Sequence, residues 1–209
     1  MMKSRTAWRV KRWLDCVIAA FGLIAFAPLF VYCAYRARRI PGGPVIFRQI
    51  RPGLNGELFT MYKFRTMTNE TDAEGRLLPD IDRLTGDGNF LRRTSLDELP
   101  ELWNVLIGDM SLVGPRPLLK EYLDHYTPQQ MRRHEVRPGI TGLAQVSGRN
   151  DLPWDQRFEL DVWYIDHWSL ALDARILART VLKVLKRESI SAPGLATVSR
   201  FDEPPQALR

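Results

Sequence analysis

The chain is poor in the residues that build cross-linked or metal-centred proteins. Among 209 residues there are two cysteines, Cys16 and Cys33, and three scattered histidines, His125, His134 and His167. A disulfide scaffold, a multi-cysteine zinc site and a histidine-rich transition-metal centre are thereby excluded. Also missing are a P-loop, a dinucleotide fingerprint and any Ser-His-Asp pattern, and there is no internal repeat. The length suits one unit with a real core rather than two enzyme domains and a linker. A composition of 45% hydrophobic and 26% charged residues argues against a disordered or collagen-like chain.

Acid is almost absent from the first quarter. Residues 1–51 hold ten Lys or Arg against one acid, Asp15, a local charge of +9, whereas the remaining 158 residues hold 20 basic and 23 acidic side chains. The formal +6 of the whole chain therefore belongs to one segment. A nucleic-acid-binding reading, which needs a basic body, loses its support.

Within the basic segment, residues 17–35 run for nineteen positions without a charge. As one straight helix they measure roughly 28 Å, close to the roughly 30 Å of a bilayer's hydrocarbon core. Pro28 interrupts the run by removing a backbone donor and crowding the preceding turn. Five cations flank it on each side, Lys11 and Arg12 among them, so the positive-inside rule assigns no direction. That balance suits a chain that enters the membrane, turns at Pro28 and leaves on the same side, with arms of roughly 16 and 12 Å. A re-entrant membrane helix is expected, in preference to a bitopic anchor. A cleaved signal peptide is disfavoured by Pro28, Tyr32 and the arginines that follow. Cys16 and Cys33 are read as small buried hydrophobes.

Residues 44–51 (PVIFRQIR) and 57–65 (ELFTMYKFR), separated by Pro-Gly-Leu-Asn-Gly, predict a β-hairpin. Residues 66–89 are polar, acidic and without clear period, and are read as an excursion able to move. Residues 96–107 place Leu96, Leu99, Trp103 and Leu106 at helical spacing. A second short helix is expected over 127–135. Residues 154–187 contain two aromatic and apolar stretches, the second with a basic face that suits the membrane interface, or, more plainly, a surface helix on a core. The last fifteen residues read as a loose tail.

Asp97 and Glu98 are adjacent acids at a helix start, where unpaired N–H groups stabilise negative charge and keep a carboxylate ionised for nucleophilic or metal-binding work. Ser95-x-x-Glu98 is equally a capping box, and Pro100 offers a rival start with both acids outside it. Arg92 and Arg93 precede the pair. Arg116 is held between prolines in Gly114-Pro115-Arg116-Pro117, a stiff presentation that suits phosphate, although a solvent-exposed arginine would look the same. Residues 137–150 (RPGITGLAQVSGRN) form a loop able to offer backbone donors. Lys63 and Arg65 stand at the hairpin's end.

Taken in order, these segments strongly resemble the bacterial sugar transferase family, the small monotopic phosphoglycosyl transferases. The resemblance runs from Lys11-Arg12-x-x-Asp15 through GGPVIFRQ (42–49), YKFRTM (62–67), LRRTSLDELPEL (91–102), GDMSLVGPRP (108–117) and PGITGLAQVSGRN (138–150) to DVWY (161–164). It implies an enzyme that moves a sugar-1-phosphate from a UDP-sugar to polyprenol (undecaprenyl) phosphate and releases UMP, the first step of a bacterial glycoconjugate or polysaccharide. Asp97 would be the nucleophile of a covalent phosphosugar intermediate, and Glu98 its metal-site or acid/base partner. Arg92, Arg116 and Lys63 would bind phosphate, and Mg2+ on Asp97 and Glu98 is the implied metal. Where the family usually breaks its helix at Ser-Pro, this chain has Ala27-Pro28.

The expected architecture is α+β and mostly helical: a re-entrant membrane helix over residues 1–40, a compact catalytic domain over 41–190 with one β-hairpin and interfacial amphipathic helices, and a tail over 191–209. The expected place is the cytoplasmic face of a bacterial inner membrane, as a monotopic protein of minimal form. The competing class is a non-catalytic, membrane-anchored lipid- or partner-binding protein, for which an intact Asp-Glu pair and Gly-Pro-Arg-Pro would have no purpose.

Overall fold

The computed structural model describes residues 5–148, 152–186 and 201. Its first two helices, α1 (Arg5–Ala25) and α2 (Ala27–Arg38), are one helix broken at Phe26, with a bend of 68° between the arms. Pro28 lies in the first turn of α2, where its missing N–H is tolerated by a helix that starts but not by one that continues. No single helix among the described residues is long and apolar enough to cross a membrane.

The hairpin forms as the sequence predicts. Strands β1 (Ile46–Pro52) and β2 (Leu58–Phe64) pair antiparallel from Ile46 opposite Phe64 to Pro52 opposite Leu58. The turn between them uses left-handed backbone at Asn55 and Gly56, with φ of 55° and 78°. The 66–89 excursion is more ordered than its lack of period implies. It contains α3 (Asp80–Arg83) and the start of α4 (Gly86–Arg93) and folds around Arg83, which bonds the carbonyls of Leu78 and Thr68 and pairs with Asp80. One polar side chain holding loop carbonyls leaves no hydrophobic period to read.

The helix expected over 96–107 divides into a 3-10 turn, Leu96–Glu98, and α5 (Glu101–Ile107), with Pro100 at the N-cap. Gly108, at φ 106°, ends α5 in left-handed backbone that a side chain would strain. A second, parallel two-stranded sheet, β3 (Ser111–Val113) with β4 (Gly139–Thr141), was not expected alongside the one hairpin; three-residue strands carry too little pattern to see. Over 127–135 the chain makes α6 (Pro128–Met131), with a complete Thr127/Gln130 capping box, and then a 3-10 turn. The last helices are α7 (Leu143–Ser147), α8 (Trp154–His167) and α9 (Leu170–Lys186). Arg187 and the tail lie outside the described residues apart from Phe201, whose ring meets Tyr122, Tyr126, Trp154 and Phe158.

Two clusters make the core. The larger joins Ala19 of α1 to Met61, Val105, Met110, Val113, Tyr164 and Ile176. The smaller sets Cys33 and Ala37 of α2 against Phe64 and Leu91. β2 therefore passes between the clusters, with Met61 in one, Phe64 in the other and Lys63 between. The residues expected to form a separate membrane unit thus share the body's core, and Trp8 stacks on Trp168 with ring centroids 4.0 Å apart. On α9, Leu172, Ile176 and Leu177 pack on the core while Val181 and Leu182 stay exposed.

Candidate active site

The site is assembled at the N-terminal side of α5. Ser95 adopts left-handed backbone (φ 56°) and makes no side-chain cap, so Glu98 is not consumed by a capping box. The rival start at Pro100 is the one that forms, and both acids lie in the 3-10 turn just outside the helix. Ser95 is one of two non-glycine residues with positive φ among the described residues. That strain sits two residues before Asp97.

Glu98 is held by two cations. Its Oε1 accepts from Lys63 Nζ at 2.8 Å and from Arg116 Nη2 at 2.5 Å. Lys63 Nζ is also 3.0 Å from Oε1 of Glu101, a carboxylate only 1% exposed. Arg92, in the last turn of α4, donates to Thr66 Oγ1 at 2.9 Å and approaches Met67 Sδ at 3.4 Å. Asp97, 9% exposed, has no hydrogen bond or ion pair to its carboxylate among the described residues.

The charges follow from this placement. Burial, then the adjacent Glu98, push Asp97 up to about 6, with Lys63, Arg92 and Arg116 opposing. The helix-start setting predicts an ionised carboxylate; burial raises its pKa, yet a value of about 6 still leaves Asp97 mostly ionised at neutral pH. Burial also acts upward on Glu98, yet Arg116 and Lys63 overcome it and hold Glu98 well below the usual carboxylate range. Burial and then Glu98 raise Glu101 to about 7 against the pull of Lys63. Arg116 is raised above the ordinary arginine value by Glu98.

Arg116 is placed by close backbone packing. A Cβ on Gly114 would lie 2.4 Å from the Arg137 carbonyl oxygen, and one on Gly139 only 2.1 Å from the Gly114 nitrogen. The Gly114 N–H donates to Thr141 O at 2.9 Å and Gly139 N–H to Pro115 O at 3.0 Å. In the 137–150 segment, expected to offer donors to a ligand, Gly139 gives its N–H to the Arg116 loop and Thr141 accepts from it; residues 149 and 150 lie outside the described residues. Arg133, buried against Asp161 at 2.7 Å, donates to the Arg116 carbonyl at 2.9 Å.

Lys11 and Arg12, counted above as membrane-flanking cations, turn inward. Lys11 Nζ is 2.7 Å from Asp173 Oδ2 and 3.1 Å from Val113 O. Arg12 bonds the Val105 and Leu106 carbonyls that α5 leaves unpaired at its end, at 2.5 and 2.9 Å. Asp15 accepts from Ser111 Oγ at 2.7 Å. On the other arm, Arg36 pairs with Asp87 and lies over the Phe90 ring at 4.4 Å. Pro28 stays at the break.

Sequence reasoning missed Glu101 and Asn104. Glu101 repeats an acid three residues after Glu98, a spacing that shares a helix face. Asn104, fully buried, joins α5 to β2 by donating to Thr60 O at 2.7 Å and accepting from the Tyr62 N–H at 3.0 Å; a polar residue inside an apolar helix period was its signal. No group of three or more His, Cys, Asp or Glu among the described residues is arranged to hold a metal. An oxygen-only pair such as Asp97 and Glu98 does match Mg2+, which is commonly bound by one or two carboxylates plus substrate phosphates.

Residues 6–187 match the family model described as bacterial sugar transferase. The chain is 54% identical over 192 residues to the uncharacterized sugar transferase EpsL of Bacillus subtilis, covering 92% of this chain and 95% of that protein. It is 41% identical to the undecaprenyl-phosphate galactose phosphotransferase of Salmonella typhimurium, covering 90% of this chain but 43% of the relative. Against the UDP-glucose:undecaprenyl-phosphate glucose-1-phosphate transferase of Caulobacter vibrioides it is 42% identical, over 86% and 71%. With the Asp-Glu pair, the two arginines and the lysine brought together across the matched region, the chain belongs to the bacterial sugar transferase family.

Proposed function

We propose that this protein transfers a sugar-1-phosphate from a UDP-sugar to undecaprenyl phosphate through a covalent intermediate on Asp97. The carrying observation is the contrast between the two acids. Glu98 is neutralised by Arg116 and Lys63, whereas the Asp97 carboxylate is bonded to nothing among the described residues and is free to attack. In the first step an Asp97 oxygen forms a bond to the sugar-linked phosphorus. The bond from that phosphorus to the bridging oxygen breaks, and UMP leaves with the electron pair. In the second step a phosphate oxygen of the lipid attacks the same phosphorus and the Asp97 carboxylate is regenerated. Arg92 and Arg116 hold the phosphate oxygens, and Lys63 sets the charge of Glu98. Asp97 and Glu98 would hold Mg2+ through their unshared oxygens, and such an ion supplies neutralisation of phosphate charge.

The lipid substrate is met at the bent pair. Phe21, Ile24 and Val31, on the two arms, are 72 to 77% exposed, an apolar surface better suited to lipid than to water. Arms meeting at a 68° bend and tilted equally would sink a twelve-residue arm about 10 Å, less than one leaflet. Both ends then remain at one face, which we take to be the cytoplasmic face of the inner membrane. The product begins a bacterial glycoconjugate or polysaccharide.

The test is made without lipid. Purified protein with Mg2+ and either UDP-glucose or UDP-galactose is expected to release UMP once per active site and to gain a phosphosugar mass on Asp97. Asp97→Asn should slow this release roughly a thousandfold or more; release at the wild-type rate would overturn the assignment.

A further inference from the structure

Arg51 lies two residues beyond the motif at 42–49. In the hairpin register it stands opposite Phe59 and shares a face with Lys63, whose partner is Phe47. The two cations are therefore separated by four residues, roughly 13 Å of strand. From these two ends of one face their side chains converge. Lys63 reaches Glu98 and Glu101, and Arg51 feels the charges of Arg116 and Glu101.

Arg51 is left less satisfied than its neighbours. Among the described residues it has no carboxylate within ion-pair distance, and its hydrogen bond runs from Nη2 to the neutral Gln49 amide oxygen at 2.6 Å. Its Nε is buried without a partner. Burial, then the like charge of Arg116, lower its pKa to about 10. A largely desolvated cation with an unused donor and a second guanidinium nearby is costly to keep empty. An anion between the two arginines relieves both penalties and meets a planar fork made for phosphate.

Position selects the anion. Lys63 sits on β2, which packs on the 3-10 turn carrying Asp97, whereas Arg51 sits on β1, which packs on the 3-10 turn at Lys120–His125. Arg51 thus lies toward the segment that follows Pro117, away from the turn that carries Asp97. In an in-line displacement the leaving oxygen departs on the side opposite the attacking one. We propose that Arg51, with Arg116, binds the nucleoside-linked phosphate of the donor and so holds the UMP leaving group. This rests on the reading of the donor as a nucleoside diphosphate sugar.

The experiment measures binding, without turnover, on the full chain in lipid nanodiscs with Mg2+. UMP, uridine and inorganic pyrophosphate are titrated into wild type, Arg51→Gln and Arg51→Lys, with melting curves as the check on folding. Arg51→Gln should weaken UMP and pyrophosphate about tenfold or more and leave uridine unchanged, and Arg51→Lys should recover part of the loss because it returns the charge without the fork. Unchanged UMP affinity, an equal loss for uridine, or no UMP binding by wild type would each overturn the assignment. Where Arg51→Gln fails to fold, Arg51→Lys decides: a threefold or greater loss of UMP affinity at the native melting temperature supports the role, and no loss refutes it. A wild type that binds UMP yet releases none from any UDP-sugar counts against the catalytic reading and leaves the phosphate contact standing.

Discussion

Asp97 and Glu98 are chain neighbours with opposite protonation tendencies, because only Glu98 has cations in contact. To act as the proposed nucleophile Asp97 has to be ionised, and burial with its acidic neighbour places its pKa at about 6. The rate of UMP release at low donor concentration should therefore rise with pH through about 6 and level above it. Glu98→Gln removes the like charge and should move that limb to lower pH while reducing the plateau. A pH profile unaltered by Glu98→Gln would contradict the coupling. His134 offers a second titration, one of stability. Its Nδ1 donates to Gly53 O at 3.0 Å, leaving Nε2 buried and unpartnered. Burial, then Arg133, lower its pKa to about 4. The unfolded chain binds this proton near 6.5 and the folded chain only near 4, so stability falls as pH drops through that window, by roughly 3 kcal/mol at its lower end. Melting temperatures at pH 7, 5.5 and 4 check this, and His134→Asn, which keeps an N–H donor, should flatten the trend.

At the scale of elements, the loop bearing Arg116 depends on glycine more than on proline. Pro115 and Pro117 stiffen it, but its position comes from Gly114 and Gly139 packing backbone against backbone. Gly114→Ala would force a methyl to 2.4 Å from the Arg137 carbonyl oxygen, an overlap that only backbone movement can relieve. It should cost roughly 2–3 kcal/mol and reduce UMP release beyond what its melting temperature explains, since Arg116 moves with the loop. Retained release in a folded variant would show that Arg116 is positioned by other means. The 3-10 turn carrying the acids is a similar case. Helical spacing across 96–107 was legible, whereas the left-handed Ser95 and the restart at Pro100 turned on local backbone geometry with two workable solutions.

At the scale of the molecule, each arm of the bent pair holds a piece of the site. Arg12 and Asp15 on α1 bind the end of α5 and the start of β3. Arg36 on α2 binds Asp87 at the start of α4, the helix that carries Arg92. Charges that a sequence count assigns to membrane headgroups are partly spent on internal contacts, which weakens that count as a guide to orientation. The bend is the stronger ground for expecting both ends on one side. Single cysteines at Ser4 and Gly42, in a background without Cys16 and Cys33, should label together in permeabilised cells and resist a membrane-impermeant reagent in intact ones. Labelling from opposite sides would exclude a re-entrant pair.

By itself the sequence determined the family, the hairpin and the break near Pro28, and it singled out Asp97, Glu98, Lys63, Arg92 and Arg116 as candidates. Each of these is written in contiguous residues, as a motif, a period or a proline. The tertiary structure alone decided which acid is neutralised and which is left free, that Lys11 and Arg12 face inward, and that Glu101 shares Lys63 with Glu98. Those outcomes depend on β1, β2, α4, the 3-10 turn, α5 and the loop after β3 meeting at one point. A contact such as Lys63 with Glu98, or Arg116 with Glu98, spans 35 or 18 residues, and local pattern holds no record of the distance across which such side chains meet.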